Sequence, residues 1–142
     1  MRLAVAIKRV HGRLREAAWA GAGEVPLPVA HVAVIKRLRN DGPSTASVLA
    51  AAEHVSHQAI TQTLAALKRA GLVRSAADPA DGRKSVISVT SAGNRLFESA
   101  RASRDAWLTQ AIGHVISPRE RSALEKSIEL LERLADAERP EP

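Results

Sequence analysis

Apolar positions along this chain recur at two periods, and the switch between them marks out its elements. Leu3, Ile7, Val10, Leu14 and Ala17 or Ala18 follow steps of four and three, which predicts an amphipathic first helix. Gly21 to Pro28 interrupts that stripe. Pro28 suits the first turn of a second helix, which carries Val29, Val32, Ile35 and Leu38 and ends at Asn40-Asp41-Gly42. Pro43, Ser44 and Thr45 open a short Ala-rich helix, Ala46 to Glu53, with Thr45 as its cap. A tight turn follows at His54 and Val55, and Ser56 caps a further helix, His57 to Ala70, closed by Gly71. Ile60, Leu64 and Leu67 form the core face of that helix, which turns His57, Gln58, Thr61, Gln62 and Lys68 outward. The pattern then changes to short extended runs. Leu72 to Ala77 and Ser85 to Val89 flank Asp78-Pro79-Ala80-Asp81-Gly82-Arg83-Lys84, a hairpin with a charged tip.

The rest of the chain reads as helical again. Thr90 is an N-cap for a long helix to about Gly113, with Leu96, Phe97, Ala100, Trp107, Leu108, Ala111 and Ile112 on one broad face. Ser117-Pro118-Arg119-Glu120 is a capping box with proline at the first helical position. It opens a last helix, Pro118 to Ala137, whose stripe of Leu124, Ile128, Leu131 and Ala135 is widened by Leu130 and Leu134. Residues 139–142 are expected as a frayed tail. The predicted fold class is mainly α with a small β-hairpin wing (α+β), a winged helix-turn-helix inside flanking helices. Those flanking helices carry more apolar surface than a domain of this size can cover. A partner surface is implied, although a small bundle within one subunit would also use it.

Several runs together resemble the MarR family of bacterial transcriptional regulators. They are Pro43-Ser44-Thr45 to Ala50, Val55-Ser56-His57-Gln58-Ala59-Ile60-Thr61, Leu64, Leu67, Gly71-Leu72-Val73, Asp78-Pro79, Asp81, Arg83 and Val89-Thr90-Ser91-Ala92-Gly93. The resemblance implies a single domain over 1–142. Residues 28–93 would be the DNA-binding lobe, residues 1–20 and 94–138 dimerisation helices, and 139–142 a tail. It further implies a two-fold homodimer on double-stranded DNA and a small-molecule effector, often aromatic or anionic, which the sequence does not identify. Two departures stand out. The family usually has an apolar residue and then glycine where this chain has Glu53 and His54; a non-glycine residue is uncommon in a left-handed turn, although histidine is among the better tolerated, so whether the turn is reshaped or kept is left open by the sequence. The family often has a basic residue where this chain has Gly82, which leaves Arg83 as the main wing-tip cation.

Site residues follow from these placements. Gln58 and Gln62 can pair bidentately with adenine and the Thr61 methyl can pack on thymine. Ser56 starts a helix whose N-terminus is itself a phosphate site, although capping alone explains it. Thr45 offers a hydroxyl shared between cap and phosphate. His57 stands at the same helix start, where an exposed histidine with no role is equally ordinary. Lys68, Arg69 and Arg74 would contribute general positive field. Arg83 at the hairpin tip can enter a narrow minor groove, with Lys84 on the adjacent phosphate and Asp78 or Asp81 orienting Arg83 by a salt bridge. An ordinary polar β-turn would be written the same way.

Composition narrows the classes. Of 142 residues, 45% are hydrophobic and 25% charged, ordinary for one globular domain. Trp19, Phe97 and Trp107 are the only aromatic residues, so the core must be aliphatic and a base-stacking surface for single strands is improbable. There is no cysteine, which excludes disulfides, thiolate metal sites and cysteine-based redox sensing. The apolar start Leu3 to Ile7 is too short for a membrane or signal segment, and a cytoplasmic protein is expected. The net charge is +6, unevenly spread. Residues 1–40 carry eight Lys or Arg against two acids and residues 57–94 five against two, whereas 95–142 carry eight against nine. That distribution suits a phosphate-facing surface, although soluble proteins without a nucleic-acid partner also reach such a charge.

Catalysis has little support. His11, His31, His54, His57 and His114 are dispersed, with no metal-ligand spacing, phosphate-cradling glycine loop or nucleophile elbow. Glu120, Glu125, Glu129 and Glu132 sit on a helix rich in Arg and Lys, as solvated pairs do. The expectation is therefore a sequence-specific, ligand-responsive repressor with no cofactor and no membrane association. An architectural DNA binder and a winged-helix protein-interaction module are the alternatives.

Overall fold

One aliphatic core organises the computed structural model, which describes residues 1–20 and 27–137. In chain order the elements are α1 (Arg2–Ala20), α2 (Val29–Asp41), β1 (Ser44–Thr45), α3 (Ala46–Ala52), α4 (His57–Arg69), β2 (Val73–Ala77), β3 (Ser85–Val89), α5 (Ser91–Val115), α6 (Pro118–Lys126) and α7 (Ile128–Ala135). Val34, Ile35 and Leu38 of α2 meet Leu49 and Ala50 of α3, Ile60, Leu64 and Leu67 of α4, and Leu72, Val73 and Ile87 at the base of the hairpin. None of these is aromatic. Phe97 only borders the cluster, half-buried, so branched aliphatic side chains supply the dense interdigitation that a core requires.

The sheet is antiparallel in the order β1-β3-β2, with Val73 opposite Val89 and Ala77 opposite Ser85. The fold is thus a mainly helical winged helix-turn-helix, and its third strand escaped the sequence reading. Ser44 and Thr45 pair with Ile87 and Val86. Two residues carry no alternation, and a Pro-Ser-Thr run reads as a cap.

Three further expectations are corrected. Pro28 is the N-cap of α2 rather than its first residue, its carbonyl accepting from the His31 and Val32 amides at 3.0 and 3.2 Å. Val29 is exposed while Val34 is buried, because the second half of α2 is what meets the core. The last helix is two helices. The Ser127 hydroxyl donates to the Ala123 carbonyl at 2.9 Å and the Ser127 amide turns back to Leu124, a back-bonded serine of the kind that bends helices. Of the predicted break from Gly21 to Pro28, residues 21–26 lie outside the described residues, as does the tail 139–142.

Helix α1 packs along α5, and the predicted α5 face is half-buried throughout. Even so, Leu3, Val5, Ile7 and Val10 are exposed on α1, and α6 and α7 bury no residue at all. Leu124, Ile128, Leu130, Leu131 and Leu134 all face solvent. A bundle within one chain therefore does not cover these stripes.

Candidate nucleic-acid interface

The helix-turn-helix is assembled from caps. The Thr45 hydroxyl accepts from the Val48 amide at 3.3 Å and starts α3; the Ser56 hydroxyl accepts from the Ala59 amide at 3.1 Å and starts α4. Each hydroxyl oxygen thereby satisfies one helix-start donor, while its own hydrogen stays available to a phosphate oxygen. Between the caps, Glu53 ends α3 and His54 takes φ 54°, the left-handed region, as the one non-glycine residue to do so among the described residues. The His54 amide donates to Ala51 O at 3.2 Å and the Val55 amide to Ala50 O at 3.0 Å. That pair of bonds is a Schellman motif with histidine in the position where glycine is usual. The turn thus has the left-handed geometry, with a non-glycine residue in it that is better tolerated there than most.

Sequence reading also missed what lies behind this turn. Arg37 of α2 donates through Nε to Glu53 at 2.5 Å, through Nη1 to Asp41 at 3.1 Å, and through Nη2 to the Ala52 carbonyl at 3.5 Å. Hydrogen bonding to Glu53 raises the Arg37 pKa above its already high ordinary value, so the guanidinium stays charged. Nothing in the spacing of residues 37 and 53 announces this pair; only the packing of α2 behind α3 and α4 does.

The outward face of α4 is as expected. His57, Gln58, Thr61, Gln62 and Lys68 are exposed while Ile60, Leu64 and Leu67 are buried. The Thr61 hydroxyl donates to the His57 carbonyl at 2.7 Å, which leaves the methyl as its free group. Arg69 joins Gln58, Gln62 and Ala65 on the same ridge, at helical spacing opposite the core, so it is better placed than a general field contribution suggested.

At the wing, the tip is held by its own backbone and aspartates. The Asp78 amide donates to Lys84 O and the Lys84 amide to Asp81 O, both at 2.9 Å. Asp78 accepts from the Ala80 amide at 2.8 Å and Asp81 from the Arg83 amide at 3.1 Å. The expected salt bridge to the Arg83 side chain is absent among the described residues. The Asp81 carboxylate lies 3.9 Å from Lys84 Nζ instead, because its other oxygen is engaged by the Arg83 backbone. Arg83 is left as an exposed cation without an ion pair among the described residues, while Arg74 lies across the hairpin with Nε donating to Ser88 at 3.2 Å.

Where α2, β3 and α5 meet there is an open depression of about 320 Å³ lined by Leu38, Arg39, Pro43, Ser88, Val89 and Asn94. Arg39 stands over the Phe97 ring, 4.3 Å from its centroid, and pairs with Glu98. Among the described residues no cluster of His, Cys, Asp or Glu is placed to hold a metal ion, and no helix is long and apolar enough to cross a membrane.

A capped helix presented outward from an aliphatic core, beside a hairpin tipped by an exposed arginine, defines a winged helix-turn-helix DNA-binding protein. The chain belongs to the MarR family of transcriptional regulators, whose family model matches residues 26–84. An HTH-type transcriptional regulator of Mycobacterium tuberculosis is 31% identical over 111 residues, 78% of this chain and 77% of that protein. The crystal structure of a transcriptional regulator from Pseudomonas aeruginosa, 30% identical, superposes with a TM-score of 0.82 over 96% of this chain and 94% of its own. BpsR of Bordetella bronchiseptica, whose DNA binding is regulated by 6-hydroxynicotinic acid, shares the fold at 24% identity and a TM-score of 0.56, covering 95% of this chain and 94% of its own. This is thus a DNA-binding transcriptional regulator of MarR type, a family that acts by binding and not by catalysis.

Proposed function

We propose that the protein is a cytoplasmic homodimeric repressor that reads a pseudo-palindromic operator and responds to a small molecule. The observation that carries the dimer is that every large apolar residue of the α6 and α7 stripe is exposed, while Leu3, Ile7 and Val10 are exposed on α1 as well. Exposed apolar stripes of that kind mark an interaction site, and a second copy offers matching ones. Residues 1–20 and 94–138 are then the dimerisation helices and 28–93 the DNA-binding lobe. Two α4 helices would enter major grooves about 34–36 Å apart, one helical turn.

In this reading Gln58, Thr61 and Gln62 meet base edges. Thr45, Ser56 and His57 hold phosphates at the two helix starts. Lys68, Arg69 and Arg74 add positive field, and Arg83 enters the minor groove with Lys84 on its flank. The depression beside Arg39 lies at the junction of α5 and the lobe, where an occupant would bias the angle between them. A small acid is the ligand class proposed, by analogy with the 6-hydroxynicotinic acid that regulates DNA binding by BpsR.

Selection of bound sequences from a random duplex pool at stated salt tests this reading. Enrichment of one inverted repeat with half-sites a helical turn apart is expected. Binding without enrichment would instead identify an architectural protein, and absence of binding a protein-interaction module.

A further inference from the structure

Glu53 and His54 stand together at the corner of the helix-turn-helix, and together they pose a physical problem. A left-handed residue with a Cβ is disfavoured relative to glycine, yet His54 occupies the position on which the entry angle of α4 depends. The residue just before it is an acid at the C-cap of α3, where the helix dipole favours a cation. Taken alone, both choices loosen the turn.

Arg37 answers both. Its three guanidinium nitrogens reach three separate acceptors: the Glu53 carboxylate, the Ala52 carbonyl at the end of α3, and Asp41 one turn along α2. The Asp41 contact fixes the arginine to its own helix, and the Ala52 contact supplies the cation that the α3 terminus lacks. Glu53 is mostly buried, with a side chain 21% exposed against 60% for Asp41, so its ion pair is the less solvent-screened of the two. The planar fork makes all three contacts at once, which lysine cannot do.

We infer that Arg37, acting through Glu53, is the positioning residue of the recognition helix: it clamps the α3–α4 corner to α2 and replaces the hold that a left-handed glycine would provide. The residue touches no base. It sets the angle at which Gln58, Thr61 and Gln62 are presented. The inference rests on the DNA-reading role of α4, and its test includes an arm that needs no DNA.

The test compares Arg37→Gln, Glu53→Gln and their double variant, each alone and with His54→Gly. Binding is measured to the selected duplex and to random duplex over a salt series. Each single variant should lose about tenfold of the ratio between cognate and random affinity, the scale of a lost charge-assisted contact. Random-duplex affinity and the salt slope should stay as in the wild type, and the double variant should be no worse than the singles. His54→Gly should return most of the lost ratio, because glycine restores the turn without the clamp. In the DNA-free arm, amide exchange at His54 and Val55 should quicken in the single variants ahead of the core amides of Leu64 and Leu67.

A salt slope reduced by about one unit in Arg37→Gln would make the arginine a phosphate contact and overturn the inference. So would additive losses, or failure of His54→Gly to rescue. Equal quickening of corner and core amides would show a general stability role instead. If wild-type protein shows no cognate preference, the proposed function fails, and the exchange arm still decides whether the clamp holds the turn.

Discussion

Thr90 ties the wing to the long helix through Gly71: its hydroxyl donates to the Gly71 carbonyl at 2.6 Å while the same oxygen accepts from the Gly93 amide at 3.1 Å. The Thr90 amide meanwhile donates to Leu72 O at 3.0 Å, so the end of α4, the start of the hairpin and the start of α5 converge on one residue. Gly93 is buried in this junction. A Cβ there would overlap the Leu72 carbonyl oxygen and come within 2.8 Å of the Val89 side chain.

Gly93→Ala should therefore destabilise the lobe by about 2 kcal/mol, the scale of overpacking against atoms that cannot retreat. Glycine's helical disadvantage works the other way but is smaller, about 1 kcal/mol. Urea melts at one fixed protein concentration measure the change. An unchanged midpoint would mean that α5 can slide away from Leu72 at no cost.

Leu131→Asp should convert the proposed dimer to monomer without unfolding it. Leu131 is 42% exposed in the single chain and α7 buries nothing there, so the substitution has little to disturb within the subunit. An unpaired carboxylate in an apolar contact costs roughly 3 kcal/mol or more, about a hundredfold or more in dissociation constant. Sedimentation velocity with circular dichroism reads both quantities. A variant that remains dimeric places the interface elsewhere.

Base reading and charge should separate by mutation. Gln58→Ala and Gln62→Ala should each cost about 1–3 kcal/mol on the cognate duplex and relax base preference, with little effect on random duplex. Arg83→Ala should weaken binding to both duplexes and lower the salt slope by about one unit. Gly82→Arg should do the reverse, since Gly82 has ordinary φ and nothing within 4 Å of an added Cβ. Salt-titrated affinities decide. If neither wing variant moves the slope, the hairpin tip does not touch DNA.

The α6 capping box should be sensitive to acid. The Ser117 hydroxyl, and then its backbone amide, lower the Glu120 pKa below the ordinary carboxylate value. A depressed folded pKa means the stabilisation is complete above the unfolded value and is lost as pH falls through the lowered one. Amide exchange across Pro118–Lys126 should accelerate over that acidic window, and Glu120→Gln should abolish the dependence. Identical pH profiles for the two proteins would refute the assignment.

Local physics made much of this protein legible from its sequence. Thr45, Ser56, Thr90 and Ser117 are caps because a short hydroxyl before an apolar-periodic run has one favourable use, and Ile60, Leu64 and Leu67 are core because their spacing admits one face. The strands of the hairpin and its turn residues are equally local. What only the tertiary structure decided depends on residues far apart in the chain. Arg37 meets Glu53 because α2 packs behind the helix-turn-helix; β1 exists because Ser44 and Thr45 pass the free edge of β3; Gly93 is constrained by a carbonyl at Leu72. The split at Ser127 is the local exception, a serine whose hydroxyl can face water or its own helix, and spacing alone does not distinguish the two. Long-range contacts leave no period in a sequence, since the residues that make them are chosen by how the elements pack.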